Sequence, residues 1–517
     1  MKQRPVEIAT QSRHSGDAIL VLRQPISEPG LKLTTSKKIA VVVLVFIALV
    51  TALSLTSHLY VNFQKAGVQR QLQISYAREN FNPEEIRDDI AHFQFLLERV
   101  HPRAIPSFPL GHAQSALADL TNIVDRPLTN LEFYKEIAPI GNLLNDDHTM
   151  VFPADHDLLR VYESSVRLFP FNVEFIDNKL FVAENLSDES KIQPGMEIVS
   201  INGISVEELR KTIITYYSGT RDEQKLSYAQ MNFREALYLV FGISDSFELV
   251  ISNPEPGETR SYLISGRRFS EPKMEEYRYE VIAPDTILLT YNAFEDKNEE
   301  FTRFLQEMFS TAQQQSIQHL IIDIRSNRGG ASEFGDEILA YLTADPFMQF
   351  SHVEVAVSEE VKSDFISHVP AFLRWFPIQY FHPMLKPLWT ADVGETSTIT
   401  FYPIVPGDNM SRFAGDVYLL IGPGTMSSAS LFAATMQEYN LATLIGGTAG
   451  GYATVYGNII DARLPNTGLK VWMPTSIIYG NSTGPIVPDH IVTQTVSDLS
   501  QQRDTVLEFA TALARSQ

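Results

Sequence analysis

The sequence predicts an α/β protein with a helical N-terminal region, a β-rich middle and a C-terminal half of alternating strands and helices. All of it is carried behind one membrane-spanning helix. Three observations predict this. The stretch Ile39 to Thr56 holds no charge, proline or glycine. Apolar side chains recur at helical spacing up to about residue 150 and then alternate as in strands from Leu168. From residue 278, continuous apolar runs alternate with helical faces, as in a parallel sheet covered on both sides.

At 517 residues the chain is too long for one core and has room for about three domains. Its 44% hydrophobic and 20% charged content excludes a disordered or collagen-like chain. There is no cysteine, which excludes a disulfide framework, a zinc-thiolate cluster and a cysteine nucleophile. Lys and Arg number 41 against 62 Asp and Glu, a net charge of -21. That balance argues against a nucleic-acid partner, since phosphate binding needs a positive surface.

Residues 1–37 are polar and read as a cytoplasmic tail. Seven basic and three acidic side chains fall in residues 1–38, so the tail is positive and the rest of the chain strongly negative. The apolar segment, taken as 38–60, approaches the roughly 20 residues needed to cross a bilayer. Basic residues on its N-terminal side place the N-terminus inside and the bulk of the chain in the periplasm or outside the cell. The alternative is a cleaved signal peptide, but a charged region of this length and the lack of a small-residue cleavage site favour an uncleaved anchor.

Residues 70–160 read as a helical region. Ile86, Ile90, Phe93, Leu97 and Val100 share one face before the His101-Pro102 stop, and Thr129 or Asn130 caps a second helix. Residues 165–268 read as β-rich, with hairpin turns at Asp177-Asn178 and Asn202-Gly203. The run Ile192 to Ile213, a Pro-Gly turn, strand, Asn-Gly turn and helix, resembles part of a PDZ domain. Residues 275–517 form the core: Ile287–Tyr291, Leu320–Ile324, Val417–Gly422 and Leu444–Gly446 are strands, and a helix follows Ser428. Residues 346–412, dense in aromatics and proline, are expected as an insertion in this core: a lid, a binding loop or a packing cap.

Three segments can carry chemistry. GNLLNDDHTMVF, residues 141–152, sets His148 after an apolar helix. In LIIDIRSNRGGASEFGDEIL, residues 320–339, a buried strand runs into Gly329-Gly330, which lets backbone approach a ligand and leaves N–H groups for an anion. In LLIGPGTMSSASLFAATMQEY, residues 419–439, a strand and a Gly-Pro-Gly turn set Ser427 at a helix start. Each alone has a plain structural use as a surface histidine, a tight turn or a helix cap. Their joint occurrence in this order carries the reading.

That order resembles the tail-specific and tricorn-type serine peptidases, the C-terminal-processing superfamily, over about residues 75–500. The resemblance implies a crotonase-like core beside a PDZ-like domain, and peptide or protein substrates. It implies Ser427 as nucleophile, His148 as general base, and Gly329, Gly330 and Ser428 as oxyanion donors. A serine hydroxyl needs a base to take its proton, and histidine titrates near the working pH. The tail-specific branch uses a lysine where this chain has Tyr452, so the histidine-based branch is the nearer one. The acid behind the base is left open between Asp489, in the run Ile486-Val487-Pro488-Asp489, and Asp461 and Asp147; Asp489 is placed first. The alternatives to a peptidase are an inactive family member serving as a peptide- or lipid-binding scaffold, and a Ser-His esterase. The scattered histidines offer no metal-ligand spacing and no phosphate loop occurs, so no metal or cofactor is expected.

Overall fold

The computed structural model describes residues 80–516 apart from 103–109, 164–165, 254–257, 271–274, 296–299, 371–372, 375, 384 and 408–411. The expected tail, 1–37, and membrane-spanning segment, 38–60, lie outside the described residues. Among the described residues no helix is long and apolar enough to cross a membrane.

The helical region holds α1 (Pro83–Arg99), α2 (Leu110–Ile123) and α3 (Asn130–Asn142), followed by β1 (Met150–Phe152) and α4 (Asp155–Glu163). Capping boxes start two of the helices: Asn82 with Glu85 for α1, and Thr129 with Glu132 for α3. Each satisfies backbone N–H groups that a helix start leaves without partners.

The middle region holds β2 (Phe171–Ile176), β3 (Lys179–Asn185), β4 (Glu197–Ile201), β5 (Ile204–Ser205), α5 (Val206–Ile213), α6 (Asp222–Met231), α7 (Phe233–Phe241), β6 (Ser246–Ser252) and β7 (Thr259–Ser265). Its sheet runs β2-β3-β4-β6-β7, with β5 paired to β4. Asp177, Asn178, Asn202 and Gly203 all have positive φ, the conformation that two-residue hairpin loops demand.

The remainder holds β8 (Tyr277–Ala283), β9 (Thr286–Tyr291), α8 (Phe301–Gln314), β10 (His319–Asp323), α9 (Glu333–Leu342), β11 (Phe350–Ala356), α10 (Glu359–Ser367), α11 (Lys386–Thr390), β12 (Thr396–Thr400), β13 (Asp416–Ile421), α12 (Ser428–Glu438), β14 (Thr443–Gly446), β15 (Thr454–Arg463), β16 (Lys470–Gly480), β17 (His490–Ile491), α13 (Val496–Ser500) and α14 (Thr505–Ala514). One sheet runs β17-β14-β13-β10-β9-β8. Its members pair in parallel except β8, which is antiparallel to β9. The central strands are buried on both faces, which explains their unbroken apolar sequence.

A second sheet changes the reading of residues 346–412. Strands β11 and β12 come from this segment, and β11 pairs with the C-terminal half of β16. The segment therefore completes a sheet of the core and is not a simple insertion. β15 lines the other edge of β16, and β1 pairs with its N-terminal half, Met150 opposite Trp472. The helical region is thus tied directly to the C-terminal half of the chain. A single hydrophobic core joins Phe93, Leu97 and Phe133 to Val353, Val471 and Met473. Buried Asp89 on α1 reinforces the tie by accepting from the N–H groups of Asn466 and Thr467, at 2.8 and 2.9 Å, in the turn between β15 and β16.

Candidate active site

Ser427 stands where a parallel strand turns into a helix. β13 ends at Ile421, and the turn that follows is pinned at several points. The Thr425 hydroxyl accepts from Gly422 N–H at 3.1 Å and donates to the Ile324 carbonyl at 2.9 Å, and Met426 N–H donates to the Asn327 carbonyl at 3.0 Å. These contacts hold Ser427 at φ 53°, ψ −129°. Such a backbone costs a residue with a side chain about 1–3 kcal/mol and persists only where the surroundings impose it. It is the geometry of a sharp strand-to-helix elbow that lifts a hydroxyl clear of the turn.

His148 reaches this hydroxyl through the loop between α3 and β1. Asp146 shapes the loop by accepting from the N–H groups of His148 and Thr149 at 2.6 and 2.5 Å. Its other oxygen lies 3.2 Å from His101 Nε2, and both side chains are fully buried. Burial pushes the Asp146 carboxyl up, but the His101 contact and the Thr149 bonds outweigh it and leave the group below the usual carboxylate range. From the middle region, the Ser218 hydroxyl donates to the Thr149 carbonyl.

The outcome is a distance of 3.0 Å between His148 Nε2 and Ser427 Oγ, groups 279 positions apart. On the other side of the ring, Asp147 Oδ1 lies 2.9 Å from Nδ1. Among the described residues no aligned hydrogen bond reaches that nitrogen, so Asp147 acts on the ring through its charge and proximity. Burial lowers the imidazole pKa, but the Asp147 and Asp146 charges more than offset it, leaving it above the ordinary histidine value.

The expected acid is corrected here. Asp489 lies away from the imidazole, on the parallel sheet, where its carboxylate accepts from Leu444 N–H at 2.8 Å. Asp461 is also elsewhere, 3.1 Å from Lys470 Nζ. The carboxylate at the ring is Asp147. Its position beside the histidine in sequence gave no spacing signal to single it out.

The backbone groups expected around an oxyanion also separate. Gly329 N–H donates to Asn327 Oδ1 at 2.8 Å and is spent. Its contribution is space: with φ +98°, an added Cβ would come within 2.6 Å of Ser427 Cβ and 2.9 Å of Ser428 N. Among the described residues, the N–H groups of Gly330 and Ser428 find no acceptor in the protein. They are held together by the Ser428 hydroxyl, which donates to the Gly330 carbonyl at 2.6 Å. Asn327 was not foreseen in this role. It is fully buried, and its Nδ2 donates to the Tyr291 carbonyl at 3.0 Å, fixing the side chain that takes the Gly329 N–H.

Ser427, His148, Gly329 and Gly330 open onto a cavity of about 1760 Å³. Its walls include Phe152, Trp472, Phe350 and Phe401 from the second sheet and Tyr217 and Tyr228 from the middle region. The arrangement sets a hydroxyl beside an imidazole, with two unspent N–H donors and apolar walls large enough for a length of polypeptide.

Residues 285–489 match peptidase family S41. That stretch, under half of the chain, is what resembles the family. No curated protein matches the chain. Among solved structures, a mutant of CPAF is similar at 15% identity over 84% of this chain and 96% of that one, with a TM-score of 0.60. Mature CPAF complexed with lactacystin gives 14% identity over 84% and 98%, TM-score 0.57. Mature CPAF gives 15% over 84% and 96%, TM-score 0.57. These likenesses show a shared mixed α/β fold. The S41 segment contains Gly329, Gly330, Ser427 and Ser428, whereas His148 and Asp147 come from outside it.

Proposed function

We propose that this chain is a membrane-anchored serine peptidase whose catalytic part works outside the cytoplasm, with a crotonase-like core beside a PDZ-like domain. The observation that carries the catalytic reading is the 3.0 Å approach of His148 Nε2 to Ser427 Oγ. Ser427 attacks the scissile carbonyl while His148 takes its proton, and the N–H groups of Gly330 and Ser428 receive the oxyanion. His148 then protonates the leaving amine, and water releases the acyl group by the same steps. An oxyanion donor of this kind contributes about 3–4 kcal/mol.

A fluorophosphonate should label the full-length chain at Ser427, as read by mass spectrometry of the adduct, and Ser427→Ala should abolish the label. Labelling that survives this substitution would move the nucleophile elsewhere. No label on wild-type protein would leave an inactive peptide- or lipid-binding scaffold as the better account.

Asp147→Asn should lower kcat/KM by about 10²–10⁴-fold. The pH profile supplies an independent sign. His148 must be neutral to accept a proton, so its raised pKa puts the acid limb of kcat/KM above the ordinary histidine value of about 6.5. Removing the Asp147 charge should shift that limb to lower pH. A limb that stays in place would exclude Asp147 as the charge acting on the base.

The anchor rests on the charge-free stretch Ile39–Thr56 behind a positive tail. Alkaline carbonate should leave the full-length chain in the membrane pellet; release into the supernatant would contradict an anchor.

A further inference from the structure

The cavity that holds Ser427 is acidic. Asp147, Asp155, Glu235, Glu295, Glu333 and Asp336 line it, and Arg328 is the one Lys or Arg among its lining residues. Arg328 directly precedes Gly329, whose backbone packs against Ser427, so its Cα is fixed close to the nucleophile. Its guanidinium carbon sits 4.7 Å from the centroid of the Tyr228 ring. Tyr228 is stacked in turn on Tyr217, 6.0 Å away and 3° from parallel. The head group is therefore aimed by two rings from the middle region.

Among the described residues, Arg328 has no counter-ion. Burial pulls its pKa below the ordinary arginine value, and the ionisable groups that oppose the drop are Tyr228 and Tyr217, with no carboxylate among them. Arg325, three residues earlier, shows the contrast: its guanidinium is gripped by Asp323 at 2.6 Å and Asp504 at 2.7 Å. A half-buried, unpaired guanidinium is costly, and a ring face recovers only about 1 kcal/mol of that cost. A ligand carboxylate would supply the missing partner in bidentate form.

We infer that Arg328 is a specificity residue that binds a carboxylate of the substrate within about two residues of the scissile bond, the reach of its side chain. The carboxylate is an acidic side chain or a free C-terminus. The acids among the lining residues sharpen the choice, because they disfavour a substrate carboxylate beside them and leave the Arg328 side as the favourable place for one. This inference rests on the serine peptidase reading.

The test is cleavage of a synthetic set of otherwise neutral peptides by the full-length chain. Positions flanking the cut carry Glu or Gln, and C-termini are free acids or amides. Wild type should prefer the carboxylate member of a pair by about 10- to 100-fold in kcat/KM. Arg328→Gln should bring that ratio to about one, and Arg328→Lys should keep part of it. The Glu/Gln and acid/amide pairs separate the two carboxylate sources. No preference in wild type, or a preference that survives Arg328→Gln, overturns the inference. So does an equal slowing of all members in Arg328→Gln, which would assign Arg328 to the oxyanion. Failure to cut any peptide would sink the peptidase reading together with this inference, whereas cutting without preference sinks this inference alone.

Discussion

His148→Ala should reduce kcat/KM for peptide hydrolysis by about 10⁴- to 10⁶-fold. The size follows from what remains. Ser427 keeps its strained backbone and Gly330 and Ser428 keep their N–H groups, but the described residues lining the cavity include no other His and no Lys to accept the Ser427 proton. Tyr452 occupies the position of the lysine of the tail-specific branch, and its ring faces Arg221, whose guanidinium carbon is 5.6 Å from the centroid. A loss of less than about tenfold, with the melting temperature unchanged, would show that another group serves as base. The loop itself should persist in the variant, because Asp146 holds it through backbone bonds that do not involve the imidazole.

Gly329→Ala should be nearly as damaging, although it removes no functional group. The added methyl would meet Ser427 Cβ at 2.6 Å, Ser428 N at 2.9 Å and the Met426 carbonyl at 3.0 Å, at a residue whose φ is +98°. Two of these neighbours are backbone atoms of a pinned turn, so relaxation must move the nucleophile or the diglycine corner. A displacement of about 1 Å costs on the order of 10² in rate, and the strained φ adds about 1–3 kcal/mol of destabilisation. We expect kcat/KM to fall at least about 100-fold, together with a lower melting temperature. Gly111→Ala is the control, since nothing lies within 4 Å of its added Cβ; it should leave both quantities near wild type. A Gly329→Ala enzyme with normal kcat/KM would mean that the corner has room the geometry denies.

Much of the fold is legible because local chemistry and global packing agree. Asn202-Gly203 reads as a turn because only such residues accept paired positive φ. Ile321 and Leu419 read as core strand because a parallel sheet buries both faces. The second sheet was hidden for the opposite reason. β15 and β16 carry Gly457, Asn458 and Pro474, residues that ordinarily weaken a strand signal. β11 and β12 flank an aromatic, proline-rich stretch that reads as loop. The site was legible as separate motifs, since Ser427, Gly330 and His148 each lie at a recognisable break. The division of labour within them was not. Gly329 and Gly330 carry the same sequence signal, and only the Asn327 side chain, which takes one N–H, tells them apart. Asp489 looked suitable by its company in sequence, yet it is held by Leu444 N–H on the sheet. Arg328 had no signal at all, because being unpaired is a property of the folded neighbourhood.

In this mechanism an imidazole from the helical region and a hydroxyl from the strand–helix elbow act as one unit. A double-substitution cycle of His148→Ala and Ser427→Ala, read as residual peptide hydrolysis against a fluorogenic substrate, tests it most directly. If the pair acts together, the double variant should be no slower than either single one, because the first loss already removes what the second would take. If the losses multiply, the two side chains contribute independently and do not form a nucleophile–base pair.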